Sequence, residues 1–254
     1  MVSYLYPALA AQGLLFLAWL WSLKSGKVSH VDIFWGPVIV ACGWVSTISH
    51  GLTYRSLAVL GLATVWSLRL AAYLCWRNWS QPEDRRYKIM RDKYPGFRWS
   101  SLFIVFVLQG GLAFVVSMPL QAVCRYEFTG WFAWDVVGFG LFFLGLYFES
   151  VGDWQLAGFL KKPGSAGKVL NTGLWRYTRH PNYFGDFCVW WGLFILCIGT
   201  GDGWWSICSP LLMSWLLLRV SGAALLESTI HNRRPGYAEY VRQTNTFFPG
   251  KPKM

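Results

Sequence analysis

The sequence predicts an all-α, polytopic membrane protein of seven transmembrane helices, with the N-terminus outside and the C-terminus cytoplasmic. Three observations lead there. Hydrophobic residues make up 54% of the 254 positions and charged residues only 14%, too apolar a balance for a water-soluble domain of this length. The apolar residues gather into long stretches, of which Val2 to Leu23 and Ser101 to Val123 carry no charge and exceed the roughly 20 residues needed to cross a hydrocarbon core. The basic residues gather between the stretches. With the N-terminus outside, Lys24, Lys27, seven basic residues from Arg77 to Arg98, five from Lys161 to Arg179 and five from Arg233 to Lys253 fall on the cytoplasmic side, against Arg55 and Arg125 outside. Nineteen against two is a positive-inside distribution, and it explains the net charge of +11 without recourse to nucleic acid.

Taken in order, the first span carries Tyr4 and Tyr6 at one end and Trp19 and Trp21 at the other, the aromatic belt of a lipid-facing helix. No small-residue cleavage pattern follows it, so it reads as a retained helix rather than a removed signal peptide. The second span, Val31 to Ser49, opens with His30 and Asp32, which suit either an acid/base pair or a carboxylate favoured by the helix dipole, and Pro37 interrupts it a turn later. The third, Ser56 to Trp76, holds Arg69 about two turns from its cytoplasmic edge, where it either snorkels or meets an anion. The loop beyond is the most charged part of the chain. Glu83, Asp84, Arg85, Arg86 and Tyr87 there read first as a solvated surface helix, and second as groups that cap a cofactor or pair among themselves.

The fourth span, Ser101 to Val123, carries Gln109 with Gly110 and Gly111, small residues that favour close helix packing. The fifth, Trp131 to Asp153, starts at Asp135 and ends with Glu149 and Asp153, four apart and so on one face. The sixth, Asn182 to Gly199, follows Gly173 to Asp186, reading GLWRYTRHPNYFGD, which concentrates nearly every kind of polar group. Pro181 suits the first turn of a helix, whose free amides and dipole form an anion site. Arg176, Arg179 and His180 add donors for phosphate or carboxylate, although a basic membrane-edge loop also explains the arginines. Such a loop does not explain Asn182 and Asp186, four apart, with Asp186 carried into apolar surroundings where an ionisable group is costly. The seventh, Trp204 to Leu226, holds Arg219, with Glu227 at its exit.

The six cysteines lack metal-ligand spacing and suit packing. No repeat or long linker divides the chain, so one domain over 1–254 is expected. Asp32, Arg69, Glu149, Asp153, Asp186, Arg219 and Glu227 come from five spans and all fall toward the cytoplasmic side. Charges within a bilayer face one another or water, so these seven are expected to line a common polar cavity.

RHPNYFGD after a Gly-Leu-Trp turn, with the closing RRPGYAEYVRQTNTFFP, resembles the C-terminal half of membrane steroid 5α-reductases and related sterol reductases, and most of all their bacterial, DUF1295-type members. The likeness extends upstream through Gln109-Gly110, Asp153 and Lys161-Lys162-Pro163-Gly164, and so covers about residues 105 to 250. It implies an enzyme of the bacterial inner membrane that binds NADPH from the cytoplasmic side and reduces a carbon–carbon double bond in a lipid-like enone. Residues 101–254 would be the cofactor half and 1–100 the substrate side. By position, Asn182 and Asp186 would contact the nicotinamide and Trp190 would wall it. Asp153, Lys161, Lys168, Arg176, Tyr177, Arg179, His180 and Tyr183 would serve the remaining cofactor, with Arg233, Arg234, Tyr237 and Tyr240 closing over it. The steroid enzymes take an enolate-stabilising acid and tyrosine from the second and third spans. Asp32 stands in for the acid, Trp66 occupies the tyrosine position, and Tyr73 lies two turns later. Indole donates a hydrogen bond but is no proton acid, which argues against a steroid substrate. The rival resemblance is to isoprenylcysteine carboxyl and phospholipid methyltransferases that use S-adenosylmethionine. They share an Arg-His-Pro-x-Tyr helix start, but their position for Asp186 is usually apolar, and two adjacent glutamates follow their last span where Glu227 stands alone here.

Overall fold

The computed structural model describes residues 2–125, 130–198, 203–220 and 236–253, and the regular elements among these are all helical. Among the described residues, six helices are long and apolar enough to cross a membrane: Tyr4–Ser25, Val28–His50, Tyr54–Asn78, Phe97–Val116, Ala133–Lys161 and Pro181–Ile198. Six such helices define an integral membrane protein. The expected seventh span runs into residues outside those described. Its described part comprises a 3-10 turn at Gly203–Ile207, α10 (Cys208–Trp215) and a wider π turn at Leu216–Val220. The chain divides into two compact units, Met1–Trp131 with Cys197–Ser209 and Phe132–Leu196 with Pro210–Met254.

In the first unit, α1 (Val2–Ser25), α2 (Val31–His50) and α3 (Tyr54–Asn78) start and stop within a residue or two of the apolar stretches. Pro37 lies inside α2 and the helix runs on through it, correcting the expected interruption. Gly51, with φ +79°, ends α2, and its N–H donates to Thr47 O at 2.8 Å. Two residues later α3 is capped reciprocally: Ser56 N donates to Thr53 Oγ1 at 3.1 Å and Thr53 N to Ser56 Oγ at 2.9 Å. The two helices run antiparallel in close contact because α2 presents glycine at the crossings. A Cβ on Gly36 would lie 3.1 Å from Ser67 Oγ, and one on Gly43 would lie 2.6 Å from Leu60 Cδ2. This register brings the first turn of α2 level with the stretch of α3 that holds Arg69 and Tyr73.

Ser101 to Val123, expected as one span, is divided. A helical run from Phe97 to Val116 comprises α5 (Phe97–Ser101), a π turn at Leu102–Val107 and α6 (Leu108–Val116), after the short α4 (Arg85–Lys93). The run ends at Ser117, and α7 (Met118–Arg125) restarts with Pro119 near its beginning, where a missing N–H costs nothing. A π turn leaves backbone carbonyls without their usual donors. Gln12 of α1 supplies one, donating from Nε2 to Val107 O at 3.3 Å, and Gly110 leaves room for its side chain. Arg55, counted by sequence among outward charges, is 0% exposed; it donates to Gly130 O at 2.7 Å and lies 5.0 Å from the Trp131 ring.

The second unit is built on α8 (Ala133–Lys161) and α9 (Pro181–Ile198). α8 continues two turns beyond the expected end at Asp153, while α9 begins at Pro181 as the sequence predicts. Glycines seven apart lock the pair together: Gly138, Gly145 and Gly152 on α8 meet Gly192, Gly185 and the start of α9. A Cβ on Gly185 would lie 2.5 Å from Glu149 N, one on Gly192 2.7 Å from Gly138 O, and one on Gly152 3.2 Å from Asn182 N. Backbone meets backbone here, so side chains cannot move aside to make room. Gly145→Leu should therefore lower stability in a denaturant titration of the detergent-solubilised protein by about 3 kcal/mol, the upper end of overpacking costs. Gly140→Leu, with nothing within 4 Å of an added Cβ, should change it by less than about 0.5 kcal/mol.

Candidate functional site

Each unit assembles one polar cluster. In the first, Asp32 lies in the opening turn of α2 with its side chain 19% exposed. A carboxylate at the edge of a span needs donors, and the charged loop after α3 brings two. Tyr87 Oη donates to Asp32 Oδ1 at 2.7 Å and Arg86 Nη2 donates to Oδ2 at 2.6 Å. Gln109 Nε2 donates to Tyr87 Oη at 3.2 Å, so the tyrosine oxygen both gives and receives. Asp84 caps α4 by accepting from Arg86 N at 2.9 Å and also accepts from Arg86 Nε at 3.0 Å, which fixes the guanidinium.

The loop itself is tied to the turn between α1 and α2. Glu83 accepts from Ser29 N at 2.8 Å and from Arg91 at 2.5 Å, while Lys27 Nζ donates to Gln81 O at 2.7 Å. Most of the run that reads as a solvated helix is therefore engaged, and Tyr87 is buried at 4% exposure. His30 does not join Asp32 in an acid/base pair. Its Nδ1 lies 3.3 Å from Ser25 Oγ and its ring stacks on Trp21 at 4.6 Å. Of the catalytic residues that the sequence suggests, Trp66 is 0% exposed in the core, and Tyr73 lies half-buried under Arg69 and Arg77, whose guanidinium carbons are 5.7 and 5.4 Å from its ring.

Electrostatics within this cluster follow from burial and from the Arg86–Asp32 pair. Burial alone would push the Asp84 carboxyl up, but the bonds and charge of Arg86 outweigh it and hold the group below its ordinary value. Burial would pull the Arg86 guanidinium down, yet the charge of Asp32 keeps it above its ordinary value and so always charged. Burial and then the Asp32 charge push Tyr87 well above the ordinary tyrosine value of 10.0, against the opposing pull of Arg86. Tyr87 is thus held as a neutral phenol, a hydrogen-bond donor at any physiological pH.

In the second unit the GLWRYTRHPN segment captures the C-terminal tail. Arg179 N donates to Asn245 O at 2.9 Å, and its guanidinium donates to Val241 O at 3.1 Å, Thr244 O at 2.8 Å and Thr246 Oγ1 at 2.8 Å. Thr178 Oγ1 donates to Phe247 O at 2.7 Å, and Gly250 N donates to Tyr177 O at 3.1 Å. Arg179 and His180 are both buried, whereas Arg176 and Tyr177 are exposed. His180 stacks on Tyr183 at 5.5 Å.

Behind this segment, Gly173 takes φ +62°, a conformation that favours glycine, and packs against the end of the Gln155 side chain, whose Oε1 accepts from Leu174 N at 3.0 Å. Trp175 Nε1 donates to Gly152 O at 3.0 Å, and Tyr240 Oη of α11 (Tyr237–Gln243) donates to Trp175 O at 2.5 Å. Tyr237 packs against Tyr240 at 5.8 Å. Asp153, 4% exposed, accepts from Asn182 Nδ2 at 3.1 Å, joining α8 to the first turn of α9. Asp186 follows a turn later, half-buried, and Trp190 a turn beyond that, fully buried. A cavity of about 650 Å³ opens beside Tyr240, lined also by Lys168, Asn171, Gly236, Glu239 and Gln243. Lys161 is exposed at the end of α8, and Arg219 is exposed in its π turn. Glu227, Arg233 and Arg234 lie outside the described residues.

The pairings that sequence reading missed are Arg86 and Tyr87 with Asp32, and Gln109 with Tyr87. The signal was present in part, since an intramembrane carboxylate demands donors and the densest supply follows the third span. What hid it was that no periodicity says which of five consecutive polar residues turns inward.

The family described as "Protein of unknown function (DUF1295)" matches residues 18–244, and the chain belongs to that family. It is 24% identical over 270 residues to a fission yeast protein, "Uncharacterized protein C594.04c" of Schizosaccharomyces pombe, an alignment covering 91% of this chain and 75% of that one. No solved structure matches it.

A raised tyrosine value means that folding favours the phenol. The contribution to stability is complete below pH 10.0 and is lost as the pH climbs toward the value in the folded protein. In an absorbance titration of native protein, wild type and Tyr87→Phe should coincide up to pH 10.0, where an ordinary tyrosine is half ionised; a difference of half a tyrosinate would contradict the burial. Arg179→Ala should free the tail, speeding tryptic cleavage after Arg242 by about tenfold or more, the equivalent of one lost charged hydrogen bond.

Proposed function

We propose that this protein is an NADPH-dependent membrane reductase that delivers hydride to a carbon–carbon double bond of a lipid-like enone. One observation carries the reading. The cavity of about 650 Å³ beside Lys168 and Tyr240 is connected, through Tyr240–Trp175 and Trp175–Gly152, to the Asp153–Asn182 pair at the head of α9. Its size falls within the range of about 300–1,000 Å³ typical of small-molecule and cofactor sites. These hydrogen bonds fix the mouth, lined by Lys168 and Glu239, relative to the amide and carboxylates at the head of α9, and that spacing suits a long ligand with phosphates at one end and a carboxamide at the other.

The donor set fits a dinucleotide, with a division of labour that differs from the sequence expectation. Arg179 is occupied with the tail, so its part is to hold α11 and Tyr240 against Trp175. Lys168, which lines the cavity, and the exposed Arg176 would face the phosphates. Asn182, steadied by Asp153, would meet the carboxamide beside Asp186 and Trp190. Bound NADPH would supply the hydride.

For the substrate, the Asp32–Tyr87 pair supports the same reading. A carbonyl gaining negative charge needs a neutral donor, and Tyr87, held as a phenol by burial, would serve by turning its one O–H from Asp32 to the carbonyl while Arg86 keeps Asp32 in place. This moves the tyrosine of the pair from the third span to the helix after it. Arg86 holds Asp32 in place and is a positioning residue. The substrate remains a lipid-like molecule reached from the bilayer, the solvent of six of the helices.

Calorimetry on the purified protein should give tighter binding of NADPH than of S-adenosylmethionine; the reverse order would favour the methyltransferase. Asp186→Ala should weaken nicotinamide-dependent turnover without unfolding. Tyr87→Phe and Asp32→Asn should slow reduction by about 10²-fold or more with NADPH affinity nearly unchanged. Loss of cofactor affinity instead would move this pair out of the substrate site.

A further inference from the structure

The first unit has a second recess, of about 220 Å³, at the C-terminal end of α1, lined by Ser22, Leu23, Gly26, Val28, Arg91 and Arg98. Its charges do not balance. Arg91 is paired with Glu83 and also donates to Gly26 O at 3.2 Å. Arg98 donates to Leu23 O at 3.5 Å and lies 5.9 Å from the Trp99 ring, and it is exposed, so its guanidinium has donors to give. Lys24, in the last turn of α1, adds another exposed cation nearby. Directly beyond Arg98 the surface becomes apolar. Trp99, Phe103 and Val107 follow at intervals of four along the helical run, exposed by 63, 68 and 41%, and Trp19 of α1 packs on Trp99 at 5.8 Å. On α1 itself, Phe16 and Leu20 are exposed by 45 and 43%. A spare guanidinium at the head of an apolar stripe, at the end of a membrane-spanning helix, has the form of an amphiphile with an anionic head.

We propose that this recess binds an anionic phospholipid, its phosphate on Arg98 with Arg91 behind it, and an acyl chain along Trp99, Phe103 and Leu20. The recess is lined by neither Asp32 nor Tyr87. An Arg–phosphate contact at an interface where few other charges compete is stronger than the same contact in water.

The test is native mass spectrometry of the purified protein in detergent with added phosphatidylglycerol or phosphatidylcholine of the same acyl chains. Wild type should retain phosphatidylglycerol about fivefold better, Arg98→Gln should reduce it to the phosphatidylcholine level, and Arg98→Lys should keep most of the preference. Arg98 is exposed, so neither variant should disturb folding, which circular dichroism can check. Equal retention of the two lipids by wild type, or undiminished phosphatidylglycerol on Arg98→Gln, would overturn the proposal. So would displacement of the lipid by millimolar inorganic phosphate, which would mark a free-anion site.

Discussion

An ionised group at the edge of a hydrocarbon layer must find partners within the protein, and much of this structure follows from that demand. Asp32 is the clearest case. Its carboxylate draws Arg86 and Tyr87 out of a charged loop, and the loop is then fastened at Glu83 and Lys27 to the turn that precedes Asp32. The chain after α3 is thus ordered by the beginning of α2, more than fifty residues earlier. Backbone groups impose the same demand in the second unit. The carbonyls of the tail, left over where α11 ends, are met by Thr178 and Arg179.

The second constraint is distance. Polar side chains on neighbouring helices meet only if the helices approach closely, and in lipid that approach is set by small residues rather than by a hydrophobic drive. Gly145 and Gly185 bring backbones together, which leaves Asp153 of α8 within hydrogen-bond reach of Asn182 at the head of α9. Gly36 and Gly43 do the same for α2 and α3, bringing the level of Asp32 beside that of Arg69 and Tyr73. Packing and chemistry are therefore not separate in this protein. The glycines place the polar groups, and the polar groups account for charges that apolar helices would otherwise exclude.

The arginines illustrate how a motif is divided between tasks. Arg176 and Arg179 look alike in sequence, both basic and both just ahead of α9. In the structure one is exposed beside the loop and the other is buried, with its guanidinium spread over three acceptors of the tail. A guanidinium with its fork filled by carbonyls positions a neighbouring helix, and one left at the surface is available to an anion.

The amino-acid sequence by itself determined the membrane class, the helical content, the limits of α1, α2 and α3, and the start of α9 at Pro181. These are local matters, decided by apolar length, by caps and by the missing N–H of proline. It also singled out Asp32, Asp153, Asn182 and Asp186, because charge and amide groups in apolar stretches stand out wherever they fold. Only the tertiary structure decided that Tyr87 and Arg86, rather than His30, serve Asp32, that Arg179 holds the tail, and that the fourth apolar stretch breaks at Ser117. Those outcomes depend on which helices approach and how closely, and hydrophobic periodicity carries no information about contacts between residues fifty positions apart.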